Sequence, residues 1–229
     1  MKILILSDIH ANWVALEAVL SREKNYDVLF FLGDVVDYGP EPIPCVDFIE
    51  QNANYAVTGN HDYALAYDKE CGSMGTFREY AIETRRWHKS LLDKKSVKFL
   101  SILPKELYVK EDKYLFYLTH ASPNGNISRY LYPEDFSEEL LSEIKAEFVL
   151  VGHSHLQFQK KIGSKIVVNP GSVGLSREDN MANYATFENG SFTLKKVPYD
   201  VEKSIAVLMQ APLSGKVKKG LANTLRHES

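Results

Sequence analysis

The chain opens MKILILSDIH (residues 1–10), an apolar run that stops abruptly on a carboxylate and an imidazole. The same grammar recurs. Residues 28–32 run into Gly33-Asp34-Val35-Val36-Asp37, and residues 55–57 into Thr58-Gly59-Asn60-His61-Asp62. Further on, residues 114–118 precede Thr119-His120-Ala121, residues 148–151 precede Gly152-His153-Ser154-His155, and residues 166–168 precede Asn169-Pro170-Gly171-Ser172. Short, near-continuous β-branched or aromatic runs of this kind read as strands buried on both faces. Between the first two, Trp13, Leu16, Val19 and Leu20 fall at helical spacing within residues 12–24, with Glu17, Arg22 and Glu23 left for the wet face. Strand and helix in alternation predict an α/β layered fold.

Outward from this frame, residues 42–51 are a weaker helical candidate, and residues 137–145, with Leu140, Leu141 and Ile144, a stronger one. Residues 63–103 break the rhythm with a helix-rich stretch that Pro104 ends, and are read as an insertion packed beside the sheet. Gly163-Ser164 and Asn189-Gly190 each sit between alternating runs and predict β-hairpins. A last helix is expected at residues 201–209, followed from Pro212 by a Lys- and Gly-bearing tail (212–229) with little to bury and expected to fray. No internal repeat is present, and the whole stretch 1–229 reads as a single domain.

The 229 residues are 45% hydrophobic and 25% charged, which excludes a disordered, collagenous or coiled-coil chain. A net charge of −3 gives no general attraction to nucleic acid or anionic lipid, so any polyanionic partner must be held by a local site. The first apolar run meets Asp8 before it reaches the ~7–15 residues of a secretory core, and no later run approaches the ~20 of a membrane span. Cys45 and Cys71 form no CxxC and read as two buried thiols in a reducing, cytoplasmic setting.

Five of the seven histidines, His10, His61, His120, His153 and His155, lie at the predicted strand ends with Asp8, Asp34, Asp37, Asn60 and Asp62. Strand ends of an α/β sheet deliver distant residues into one crevice. Imidazoles, carboxylates and one carboxamide without a thiolate suit Mn, Fe, Co, Ni or Zn. There are more donors than one tetrahedral ion takes, and a shared carboxylate can bridge two ions roughly 3.5–4 Å apart, so two divalent ions are expected.

Asp8-Ile9-His10, Gly33 to Asp37, Gly59 to Asp62, His120 and Gly152 to His155, in this order over residues 1–172, resemble the calcineurin-like metallophosphoesterase superfamily. The resemblance implies a β-sandwich of mixed sheets flanked by helices. It also implies one metal on Asp8, His10 and His155, a second on Asn60, His120 and His153, and Asp34 bridging them. His61 is then the acid or phosphate-orienting residue, and Asp62 the partner of its ring. The implied reaction is hydrolysis of a small phosphodiester by a metal-bound hydroxide, manganese being among the candidate ions.

One departure bears on substrate. Where the protein phosphatases and dinucleoside-polyphosphate hydrolases resembling this chain carry an arginine in the second motif, this sequence has Tyr38. Loss of a bidentate cation disfavours phosphoproteins, and Tyr38-Gly39-Pro40 is similar to the small prokaryotic phosphodiesterase branch. A phosphomonoesterase or a dinucleoside-polyphosphate hydrolase is the alternative. A nuclease lacks its basic, aromatic-interleaved surface, and a non-catalytic scaffold should have lost ligands that are all present here. A homo-oligomer is left open. Asp37 and Asp62 each read as a helper of the site or as a cap on a helix or a nearby backbone amide, Asn169 and Ser172 as turn residues or substrate contacts, His88 as a solvated helix residue, and His227 as without a role. Arg78, Arg85, Arg86 and Trp87 belong to helix packing or to a substrate rim.

Overall fold

On β1 (Lys2–Leu6) the residues alternate: Ile3 and Ile5 join one apolar cluster, Leu4 and Leu6 another. β2 (Val28–Phe31) continues the division, with Phe30 on the first side and Leu29 and Phe31 on the second. A strand covered on both faces needs a layer on each side of it, and the computed structural model, which describes residues 1–228, supplies both. The layer of Ile3, Ile5 and Phe30 is a second sheet, contributing Phe116, Leu118, Phe148, Leu150 and Val168. The layer of Leu4, Leu6 and Phe31 is helical, formed by α1 (Trp13–Arg22), α2 (Pro42–Asn52) and α5 (Lys94–Ile102).

The first sheet has the order β10-β9-β1-β2-β3, adding β3 (Tyr55–Ala56), β9 (Met181–Glu188) and β10 (Ser191–Pro198). The second has the order β4-β5-β6-β8-β7, from β4 (Glu106–Glu111), β5 (Tyr114–Thr119), β6 (Phe148–Leu150), β7 (Gln157–Ile162) and β8 (Lys165–Pro170). β1, β2 and β3 are parallel, as are β5, β6 and β8, and the outer pairs are antiparallel. Both predicted hairpins form: Ile162 pairs with Lys165 and Glu188 with Ser191, leaving two-residue loops. Asn189 and Gly190 both take positive φ, as a turn matching strand twist requires. This is the mixed-sheet α/β sandwich the sequence implies.

Helix starts follow the chain's own caps. The side chains of Asn12, Asp93 and Asp200 accept from backbone N–H groups three residues on, opening α1, α5 and α6 (Val201–Gln210). The stretch 63–103 is indeed helical, through α3 (Asn60–Tyr67), α4 (Gly75–Leu91) and α5.

Two expectations fail. Residues 137–145 form no helix; they make successive turns, with Leu141, Ser142 and Ile144 bonding back to Ser137, Glu139 and Leu141, while Leu141 and Ile144 still reach the core. The weaker candidate, α2, is the real helix because Pro42 stands at its first turn. The tail does not fray through 215–226: Gly215–Arg226 is α7, capped by Ser214, with Val217, Leu221 and Leu225 buried against α4 and α6. At Gly220 any Cβ would run into Tyr80, so glycine there permits close approach, not flexibility.

Candidate metal centre

The parallel strands of both sheets bring their C-terminal ends to one place, and the loops leaving them bend sharply. Asp8, His10, Asp34, His153 and His155 all have positive φ, between 46° and 64°. Such backbone is unfavourable for residues with a Cβ and marks a place where surroundings fix the geometry. Gly33, at φ 97°, lets the Asp34 loop lie on the start of α3, where a Cβ would stand 2.5 Å from the Gly59 nitrogen.

Three of the imidazoles, those of His10, His120 and His155, are oriented by backbone carbonyls. Nδ1 of His10 donates to Val36 O at 2.9 Å, that of His120 to Leu32 O at 2.7 Å, and that of His155 to Leu175 O at 2.6 Å. A carbonyl can only accept, so the proton sits on Nδ1 and Nε2 presents a lone pair. His10 Nε2 and His155 Nε2 face each other at 3.1 Å, an arrangement that calls for a cation between them. The Asn60 amide donates to Cys71 O at 2.7 Å and so turns its Oδ1 toward His120 Nε2, 3.0 Å away.

The carboxylates complete the pattern. Asp8 Oδ2 accepts from Ser7 Oγ and the His153 amide, leaving Oδ1 3.2 Å from His155 Nε2. Asp34 Oδ1 accepts from the His61 amide at 2.9 Å, leaving Oδ2 between His120 Nε2 at 3.1 Å and His10 Nε2 at 3.9 Å. Asp8 Oδ1, Asp34 Oδ2 and His153 Nε2 are fully buried without a hydrogen-bond partner. Buried charge or lone pairs left this way are costly, and a divalent ion is the partner that satisfies them. Ligand atoms of Asp8, His10 and His155 lie within 4.8 Å of one another, as do those of Asp34, His120 and His153.

Protonation suits ligation. Burial and the neighbouring His155 push His10 down to about 3, and burial with His120 does the same to His153, so both rings are neutral donors. Burial opposes the Asp34 anion, yet His120 and His61 hold its pKa well below the carboxylate range. His120, despite burial, is raised to about 9 by Asp34, so an ion there displaces a proton.

The calcineurin-like phosphoesterase superfamily domain matches residues 1–191. The chain belongs to that superfamily. Relatives agree: protein MJ0912 of Methanocaldococcus jannaschii is 35% identical over 225 residues, covering 88% of this chain and 89% of its own length. The phosphodiesterase YfcE of Escherichia coli is 29% identical over 192 residues, 82% of this chain and 88% of its own. The crystal structure of a metallophosphoesterase from Sphaerobacter thermophilus superimposes with a TM-score of 0.81 at 30% identity, over 97% of this chain and 98% of that one. The protein is thus a metal-dependent hydrolase of phosphoesters, and among the described residues no helix is long and apolar enough to cross a membrane.

Around this phosphoesterase centre the structure reassigns several residues. His61 is not held by Asp62: its Nδ1 meets Asp37 Oδ2 at 2.7 Å. Asp62 is the third residue of α3, and its oxygens accept the amides of Asp34, Val35 and Gly59 at 2.7, 2.8 and 3.1 Å. The motif Gly59 to Asp62 is a helix start, with Asp62 in the capping position. Asp37 in turn receives Arg85 Nη2 at 2.5 Å. His88 is buried, not solvated: it accepts from the Asp37 amide and its Nε2 donates to Gly39 O at 2.9 Å. Thr84 accepts the Tyr38 amide at 3.0 Å. One face of α4 therefore clamps residues 37–39, a link across some fifty positions that no local pattern announces.

Asn169 and Ser172 do not face substrate. They are fully buried, Asn169 donating to Gly152 O and Ser172 to Asp8 O, so they brace two metal-site loops. His227 is also placed, with Nε2 on Ser176 O at 3.1 Å. In front of the centre opens a cavity of about 240 Å³, lined by Asp34, His61, Tyr38, Phe77, Tyr130 and Arg177 among others. Tyr130 and Arg177 carry no signal in the sequence motifs.

Proposed function

We propose that this cleft hydrolyses phosphodiesters at a dinuclear metal centre. Asp8, His10 and His155 would hold one divalent ion and Asn60, His120 and His153 the other, with Asp34 between the two sets. Such ions, when bound, supply Lewis-acid charge and a water acidic enough to act at neutral pH. The chain's own residues do the rest. His61 belongs to neither of these two clusters: Nδ1 is fixed by Asp37, Nε2 lies 3.4 Å from Tyr38 and 3.5 Å from Ser73, and Cys71 stands beside the ring. It is positioned to give the Nε2 proton to the departing alkoxide, with the Asp37–Arg85 pair holding the ring.

The observation that carries this reading is the convergence of the unpartnered buried atoms of Asp34 and His153 with the His61 imidazole on one cavity, beside the unpartnered Asp8 Oδ1. The phosphodiesterase relative supports a diester over a monoester, and the absence of an arginine at Tyr38 is consistent with it. Manganese is the first ion to supply. The two unpaired thiols fit a cytoplasmic enzyme, and residues 1–229 are read as one phosphoesterase domain carrying the 63–103 insertion. The test is an assay with Mn, Co, Ni or Zn restored, comparing 4-nitrophenyl phosphate with its bis ester. A higher kcat/KM for the bis ester is expected; preference for the monoester makes the protein a phosphomonoesterase.

A further inference from the structure

Tyr130 and Arg177 stand where the centre opens to solvent, and the hydrolysis above uses neither. The Tyr130 ring stacks on His153, centroids 4.0 Å apart and planes inclined 28°. The Arg177 guanidinium lies over the same Tyr130 ring at 5.2 Å, and its Nη2 donates to the phenol at 3.4 Å. Among the described residues Arg177 makes no ion pair. Its acidic neighbours are engaged elsewhere, Lys196 Nζ lying 3.4 Å from Glu178 and 2.7 Å from Asp179.

The backbone beneath Arg177 is fixed. Leu175 O orients His155, Ser176 O receives His227, and Ser176 Oγ accepts from Asn183 at 2.9 Å and from the Glu178 amide at 3.1 Å. Arg177 is exposed on a backbone held by these bonds and, among the described residues, is the only Lys or Arg lining the cavity. A planar guanidinium so presented suits a phosphate. Its contact is with Tyr130, whose ring in turn stacks on His153, so the guanidinium stands beside the metal ligands and not among them. Across the same cavity Phe77 and Met74 form an apolar wall, Met74 being 77% exposed.

We propose that Tyr130 and Arg177 form a specificity subsite for a second phosphate of the substrate, one step out from the scissile group, with Phe77 and Met74 taking an adjoining flat organic group. This rests on the phosphoesterase reading of the centre. The test uses the full-length, metal-loaded enzyme turning over bis(4-nitrophenyl) phosphate, with AMP and ADP as competing ligands at constant free metal. ADP should inhibit at least tenfold more tightly than AMP. In Arg177→Met the Ki for ADP should rise tenfold or more while that for AMP moves less than threefold, and Arg177→Lys should recover part of the difference. Equal inhibition by AMP and ADP in the wild type, or an equal rise for both in Arg177→Met, overturns the subsite. If the wild type hydrolyses no phosphoester with any of the metals, the hydrolase reading fails instead, and calorimetric titration of AMP and ADP still decides the subsite.

Discussion

His61 has one nitrogen committed and one free, and that asymmetry makes it a proton donor and not a ligand. Burial disfavours its charged form, but the oxygens of Tyr38, Asp34 and Asp37 around it hold its pKa well above the ordinary value. His61→Ala should leave the metal content unchanged and lower kcat by about 10²–10⁴-fold, most for esters with basic leaving groups. A leaving-group series measured on both proteins checks this, and equal rates with alkyl esters would remove His61 from the chemistry. Asp62, by contrast, is a structural acceptor for three amides. Asp62→Ala should destabilise the fold by about 1–3 kcal/mol through unsatisfied buried donors, visible as a lower denaturation midpoint measured with metal bound. The GNHD motif suggests two side-by-side catalytic groups because it shows which residues are adjacent in sequence. Which way each side chain leaves a helix start is decided by the N-terminal turn of α3.

At the scale of elements, the central strands β1, β2, β5, β6 and β8 are legible because burial makes each of them an apolar run, and the hairpins because two-residue turns demand Asn-Gly or a leading glycine, whereas β4, half exposed and charged, gives no such run. Helix α7 is less legible: Val217, Leu221 and Leu225 form a stripe one residue wide, diluted by Lys216, Lys218 and Lys219. Residues 137–145 mislead in the opposite sense, since Leu141 and Ile144 are buried from a chain of turns. The helix with the largest unforeseen consequence is α4, whose Thr84, Arg85 and His88 grip residues 37–39. His88 is buried and neutral, its pKa pushed down by burial to about 4. Between that value and the ordinary 6.5 the unfolded chain binds more protons than the folded one, so stability rises with pH across this window and is lost as pH falls through it. The loss attributable to His88 should be on the order of 3 kcal/mol from pH 6.5 to pH 4. Urea denaturation at several pH values, wild type against His88→Gln, checks it: the variant should show a shallower acid slope, and identical slopes would exclude His88 as the source.

For the whole molecule, the motifs make the inventory of ligands legible, while the arrangement around them comes from contacts between residues far apart in sequence: Leu175 with His155, Arg85 with Asp37, Tyr130 with His153. A sequence holds no local trace of such pairs. The same long-range convergence places Asp8 and Asp34 in a buried space with four imidazoles, where divalent ions that bind only the folded chain favour folding. The formal charge of −3 counts no ions, and divalent ions bound in the centre would make the cleft an attractor for phosphate while the remaining surface stays mildly acidic. Saturation at 100 times Kd should stabilise the fold by about 2.7 kcal/mol per site. Asp34→Asn separates the two halves of this argument. Removing the charge paired with His120 should lower the stability of the metal-free protein, while the increment on adding manganese falls to a small fraction. Thermal denaturation of both proteins with chelator and with manganese reads this directly. An increment on adding manganese as large as that of the wild type would mean that Asp34 is chiefly a structural acceptor for the His61 amide, and its place between the two ligand clusters would lose its meaning.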